Sequence, residues 1–143
     1  MQTKFFMKLR RIFFVSLFSL FVLCQAGFAE LIDNGDGTVT DTKTGLMWQK
    51  VEAGIKTWEA ALSYTKALKL AGHSDWRLPN RNELESIVDY RSEFPDAMSS
   101  QYWSSTSNET NSDYAWTVAF LDGGIYSNNK DSSLNVRAVR GEQ

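Results

Sequence analysis

All five tryptophans and all five tyrosines lie beyond residue 47, in a stretch with no cysteine; the one cysteine of the chain is Cys24. A chain with that distribution has no disulfide to hold it there, so packing must do so, and the large rings must supply much of what packs. Burying that many rings requires layered elements that close over one another. The same lack of thiols removes a cysteine nucleophile and a thiolate zinc site from the functional possibilities.

The segment before this stretch is different in kind. "MQTKFFMKLRR" carries Lys4, Lys8, Arg10 and Arg11 and no acid, and is followed by the apolar run Ile12 to Leu23 and by "CQAGFAE", with Gly27 and Ala29 at small-residue positions. That order describes a secretory signal peptide over residues 1–29, cleaved to leave Glu30 as the mature N-terminus. The apolar run of 12 residues is shorter than the roughly 18 expected of a spanning helix, so the mature form is expected to have no membrane span; a retained anchor is the alternative. Leu23 is bulky for a lipidation site at Cys24. Four of the 15 basic residues lie in this segment and none of the 17 acidic ones, which leaves 11 against 17 and a net charge near −6. Such a surface argues against nucleic acid or an anionic membrane as partner. The expectation is one domain over residues 30–143, periplasmic or extracellular.

Within that domain "GTVTD" and "LMWQ" are short β-like runs around "TKTG", with Gly45 placed for a left-handed turn residue. "TWEAALSYTKALKLAG" predicts a first helix capped by Thr57 and stopped by Gly72, with Trp58, Ala61, Leu62, Thr65 and Leu68 on one stripe. "DWRLPNRNELESIVDY" is the most ordered local signal. Asn80 and Glu83 have capping-box spacing, Pro79 ends the preceding extended piece, and Leu84, Ile87 and Val88 give a second helix its buried face. The last third reads as β: "YWSST", then "YAWTVAF" with Tyr114, Trp116, Val118 and Phe120 on one face, then "SLNVRAVR" with Leu134, Val136 and Ala138 inward. Strand, two helices and several antiparallel strands make an α+β chain.

"DNGDGTVTDTKTGLMW" looks like a calcium loop. Aligning Gly37 with the invariant glycine of an EF-hand puts Ile32 and Lys43 where the first and twelfth ligands belong. The EF-hand reading fails; a looser site using Asp33, Asp36 and Asp41 is the alternative to plain turns, and neither metal nor cofactor is expected. His73, the single histidine, stands in a turn, and no serine has a nucleophile-elbow context. Arg77 and Arg137 are flanked by apolar residues, which points to pairing across the domain with a carboxylate such as Asp75 or Glu83. Asn80, Glu83, Arg77, Arg137, Trp48, Trp76, Trp103 and Trp116 are therefore read as structural. In the loop "LDGGIYSNNKD", Asp122, Tyr126, Asn128, Asn129 and Lys130 are the candidate ligand-binding side chains, an exposed ring with nearby amides being suited to a sugar.

Taken together, "DNGDGTVTDTKTGLMWQK", "TWEAALSYTKALKLAGHSDWRLPNRNELESIVD", "YWSST", "AWTVAF" and "VRAVRG" resemble the C-terminal domain family of the Legionella collagen-like protein (Lcl), from about Asp33 to Gly141. The resemblance implies a C-type-lectin-like fold, two helices on short antiparallel sheets with the chain ends together. It extends, more distantly, to the formylglycine-generating enzyme fold through the "RLP" step. The named member is associated with adhesion and sulfated glycosaminoglycans. That ligand is not carried over, because the 143 residues contain no collagen-like repeat and the mature part is acidic. Many relatives have cysteines at the positions of Thr65 and Ala138, so here the resemblance implies a helix-to-strand link resting on packing alone, and no thiol for the oxygen-dependent chemistry. The function expected is a non-enzymatic, exported binding module for a glycan or a protein of the envelope or host surface. The alternative is a structural or assembly subunit of an envelope complex.

Overall fold

A computed structural model describes residues 30–97 and 101–142; the expected signal segment 1–29, with Cys24, lies outside the described residues. The described chain is mixed α and β, with few helices and two sheets. It runs through β1 (Leu31–Asp33), β2 (Thr38–Asp41), β3 (Met47–Gln49), β4 (Ile55–Lys56), α1 (Trp58–Ala67), α2 (Arg81–Ser86) and a 3₁₀ segment (Val88–Glu93). Then follow β5 (Gln101–Ser107), β6 (Tyr114–Ala119), β7 (Ile125–Asn129), β8 (Leu134–Asn135) and β9 (Val139–Arg140). One sheet has the order β1-β2-β3-β9 and the other β4-β8-β5-β6-β7. The pairings are antiparallel apart from β5 with β8.

The β2–β3 hairpin forms for the reason its sequence gives. Asp41 accepts from Lys43 N at 2.8 Å and from Thr44 Oγ1 at 2.7 Å, while Gly45 turns the chain at φ +74°. The α2 start is likewise local. Asn80 Oδ1 accepts from Glu83 N at 2.9 Å, and Glu83 Oε2 accepts from Asn80 N at 2.7 Å, a complete capping box. Arg77 reaches the same buried carboxylate through both terminal nitrogens, at 2.8 and 2.6 Å, and also donates to Gly141 O at 3.0 Å. The Glu83 carboxylate holds the Arg77 pKa above its ordinary value.

Helix α1 is shorter than its apolar stripe predicts. It ends at Ala67, and Leu68 is already extended. Leu70 and His73 then exchange two backbone hydrogen bonds around Ala71 and Gly72, whose φ angles are +53° and +76°. Gly72 thus serves a two-residue hairpin turn needing positive φ at both central positions, not a helix end. Thr57 precedes α1 in an extended conformation but makes no side-chain cap.

Two cores lie on opposite faces of the second sheet, as consecutive β5 residues show. Tyr102 packs with Val118, Phe120, Leu84, Ile87 and Trp48, joining both sheets to α2; its ring centroid lies 4.6 Å from that of Phe120. Trp103 packs with Ala61, Leu78, Ala115 and Val136 beneath α1. Strand β6 is consequently covered on both sides. Ala115 and Thr117 are as buried as Val118 and Phe120, whereas Tyr114 and Trp116, expected inside, are only half-buried. The expected alternation of Leu134, Val136 and Ala138 also gives way. Val136, Arg137, Ala138 and Val139 are all buried, because the chain crosses there from the second sheet to the first.

Arg137 sits in that crossing at 0% exposure. Its guanidinium donates to Gln49 O at 2.7 Å, to Lys50 O, to Asp96 Oδ1 and to Tyr102 OH at 3.1 Å, and lies 4.2 Å from the Phe94 ring centroid. Its carboxylate partner is thus Asp96; the partners expected from sequence, Asp75 and Glu83, go to Arg140 and Arg77. The α1-to-strand link is not packing alone either. Gln49 donates through Nε2 to Tyr64 OH at 2.9 Å and accepts at Oε1 from Ala138 N at 3.2 Å.

Arg137→Ala removes the cationic partner of Asp96 and the donor to the carbonyls of Gln49 and Lys50, and is expected to cost about 3–5 kcal/mol in urea unfolding. A loss below about 1 kcal/mol would contradict this account. Arg140, donating from Nε at 2.7 Å and Nη2 at 3.0 Å, holds the exposed Asp75 carboxyl below its ordinary value of 3.8. A lowered carboxyl pKa adds stability above the unfolded-state value and loses it as pH falls through the folded one. Wild-type stability should therefore fall more steeply than that of Asp75→Asn below about pH 4, in thermal melts across an acid series.

Candidate functional site

A groove of about 670 Å³ lies between the start of α2 and the far end of β5 and β6. That volume lies within the range of small-ligand clefts. One wall is Asn80, Arg81 and Asn82; the other is the chain from Thr106 to Thr110, and Trp116 of β6 lies between them.

The groove exists because β5 is irregular. Its register with β6 shifts between Trp103 and Ser107, and a strand with such a bulge bends away from its partner. The small polar run "WSSTS" satisfies the interrupted ladder. Ser104 donates from Oγ to Trp116 O at 2.6 Å and accepts from Thr106 N at 3.2 Å. Thr106 Oγ1 accepts from Arg81 N at 3.1 Å, and Ser105 N donates to Pro79 O at 2.7 Å, so the bulge and the α2 start are clipped together. Beyond it the loop locks itself. Asn108 Oδ1 accepts from Thr110 N at 2.9 Å and from Thr110 Oγ1 at 2.8 Å, while its Nδ2 donates to Ser127 Oγ at 2.8 Å.

Arg81 and Trp116 meet inside the groove, with the guanidinium carbon 5.4 Å from the indole centroid, a cation–π distance. Arg81 Nε is buried without a hydrogen-bond partner, and its nearest carboxylate oxygen, Glu85 Oε2, is 3.7 Å away. Trp116, read from sequence as a core residue, is thus part of a ligand-accessible wall. Leu84 and Ile87 pack with Val118 and Phe120, whereas Trp116 is faced by the long Arg81 side chain.

The five side chains singled out in the β6–β7 region are not gathered on one concave surface. Asp122 Oδ1 accepts from Gly124 N at 2.8 Å in the hairpin turn, beside the 47% exposed Tyr126. Asn128 Nδ2 donates to Thr117 Oγ1 at 2.8 Å across the β6–β7 pair. Asn129 Oδ1 accepts from Asp131 N at 2.9 Å. Lys130 donates from Nζ to Ser112 O at 2.8 Å and lies 4.1 Å over the Trp58 ring, so its charge is engaged. Lys130, just past the end of β7, is four residue steps from Tyr126, roughly 13 Å along the strand. Loop Ser107–Asp113 does meet the later half of that region, where Lys130 N donates to Asp113 O at 2.8 Å.

Of the residues read as structural, Trp48, Trp76 and Trp103 are buried, and Asn80, Glu83, Arg77 and Arg137 make the bonds described above. Asp33, Asp36 and Asp41 direct their oxygens into their own turns and to Lys50. Gly35 N donates to Asp33 Oδ1 at 3.0 Å and Thr38 N to Asp36 Oδ1 at 3.1 Å. The Lys50 ammonium, hydrogen-bonded to Asp33, holds that carboxyl below its ordinary value. Sequence reasoning passed over Arg81 and the bulge. The signals available were a run of hydroxyl residues inside a strand and a cation directly after a capping asparagine.

A sequence model of the Lcl C-terminal domain matches residues 37–140, a span that includes the whole groove. No curated protein matches the chain.

If Asn108 sets the loop, Asn108→Ala should speed amide hydrogen exchange at Thr110 by about tenfold or more. Exchange at core strand residues such as Val118 should change far less. Equal acceleration at both places would mean global destabilisation and not a local lock.

Proposed function

The chain belongs to the Lcl C-terminal domain family, and from that premise we propose that it is an exported, non-enzymatic binding module that holds a glycan in the Trp116 groove. The carrying observation is a half-buried indole braced by Arg81 in a groove whose other lining side chains are amides, hydroxyls and one carboxylate, Glu109. A pyranose ring has one face of C–H groups and a rim of hydroxyls, which such a wall complements. The locked loop favours affinity, since little conformational freedom is left to lose on binding.

The wall supports binding over turnover. Glu109 is the one carboxylate among the described residues lining the groove, whereas glycoside hydrolysis uses two. His73 is held in its turn by Leu70, elsewhere in the fold. The leader at residues 1–29 supports delivery to the periplasm or the outside of the cell, with cleavage before Glu30. Among the described residues no helix is long and apolar enough to cross a membrane. The proposed finer fold is C-type-lectin-like, supported by two short helices on antiparallel sheets and by β1 and β9 sharing one sheet.

A second reading, a structural or assembly subunit docking a protein of the envelope or host surface, draws on a different place. Strand β7 is a sheet edge, and Leu121, Ile125 and Tyr126 around it are exposed apolar side chains. Co-purification with envelope proteins, lost in Ile125→Lys and unchanged in Trp116→Ala, would favour it.

On a glycan array and in titration calorimetry with the best hit, Trp116→Ala should raise Kd about tenfold or more, near 1.4 kcal/mol. Unchanged binding would remove the groove from the account.

A further inference from the structure

We infer that the groove selects an uncharged sugar unit and discriminates against sulfated and carboxylated polymers. This rests on reading the groove as a glycan site and adds the chemical class of its ligand.

Arg81 is the one cation among the described residues that line the groove. Its charge is partly offset by Glu85 Oε2 at 3.7 Å, beyond hydrogen-bond distance, and by the face of the Trp116 ring, while Nε has no hydrogen-bond partner among the described residues. Glu109 contributes a carboxylate to the opposite wall. Counting Arg81 against Glu85 and Glu109, the immediate surroundings carry more negative than positive charge. Sites for sulfate or carboxylate polymers converge several cations, which gain by displacing counterions and by fork-shaped pairing. Nothing of that kind surrounds this groove. The other cation near its loop end, Lys130, is bound to Ser112 O and stacked on Trp58. At longer range, the 11 basic and 17 acidic residues beyond residue 29 repel a polyanion before it arrives.

What the groove does offer is neutral. Asn82 is exposed, and its side-chain amide is free among the described residues. Ser107 presents a hydroxyl beside it, and the indole supplies an apolar surface. Amide, hydroxyl and ring together suit the hydroxyls, acetamido group and C–H face of an uncharged pyranose. They also give Arg81 a role that needs no anionic ligand: it holds the Trp116 ring in place.

The test is an array of neutral, carboxylated and sulfated oligosaccharides, followed by titration of the full chain with the best member of each class. The titrations are run in about 20 mM and about 300 mM salt, a range over which screening changes strongly. The expected result is binding confined to neutral members, with less than about a twofold change in Kd across that range. Asn82→Ala should weaken it about tenfold, and this exposed residue can be replaced without disturbing the core. Salt-sensitive binding of sulfated or carboxylated members, lost in Arg81→Gln and in Trp116→Ala, would overturn this inference and leave the groove a glycan site. Absence of binding across all classes, or binding indifferent to Trp116→Ala, would overturn the glycan reading itself and this inference with it.

Discussion

A guanidinium with no solvent exposure is costly unless its charge is compensated, and the body of this protein is arranged around one whose two terminal nitrogens are hydrogen-bonded while Nε has no partner among the described residues. Arg137 joins β3 through the carbonyls of Gln49 and Lys50, β5 through Tyr102, and the segment after the 3₁₀ turn through Asp96, with the Phe94 ring against its face. Each of those partners belongs to a different part of the chain. Desolvating the charge is acceptable only when all of them are present together, so the arginine selects one arrangement of the two sheets. Arg77 repeats the principle at the α2 start. It reads the capping-box carboxylate of Glu83 and the carbonyl of Gly141 at once, and its backbone pairs with Val139. Two arginines therefore fix the segment from Val136 to Gly141 against everything before it.

The groove follows from that frame. Because α2 is fixed at its first turn, its Asn80–Asn82 face cannot shift relative to the β5 bulge. Thr106 and Pro79 complete the attachment from the other side. The walls are thus set by bonds to rigid elements, while the side chains that face the opening, Asn82, Ser107 and Glu109, carry little structural duty. Binding sites on such scaffolds can change their chemistry without disturbing the fold that presents them.

How far the sequence could be read depended on the range of each interaction. The Asn80–Glu83 box, the Asp41–Gly45 turn and the burial of Leu84, Ile87 and Val88 are local and were legible. The family, too, could be recognised from its motifs, and the match over residues 37–140 bears that out. The role of Gly72 was missed because Ala71 beside it accepts a positive φ that its residue type disfavours, and no composition rule anticipates it. The partner of Arg137 was missed because Asp96 lies 41 residues away in an irregular segment. Trp116 was assigned to the core because alternation along a strand says which face a side chain is on, but not where the covering helix stops. The groove needed that last fact, together with a bulge visible only as a run of serines and threonine.

The crossing from β8 to β9 has a temporal side. Strand β9 pairs with β3, β8 with β4 and β5, and Arg137 between them completes contacts made ready by residues 49 to 102. A nascent polypeptide that has reached only residue 130 therefore lacks β8 and β9, and the two carbonyls, one carboxylate and one hydroxyl that Arg137 engages are made before it is. Native closure is deferred until almost all of the described body has been synthesised, which keeps the growing chain pliable until then.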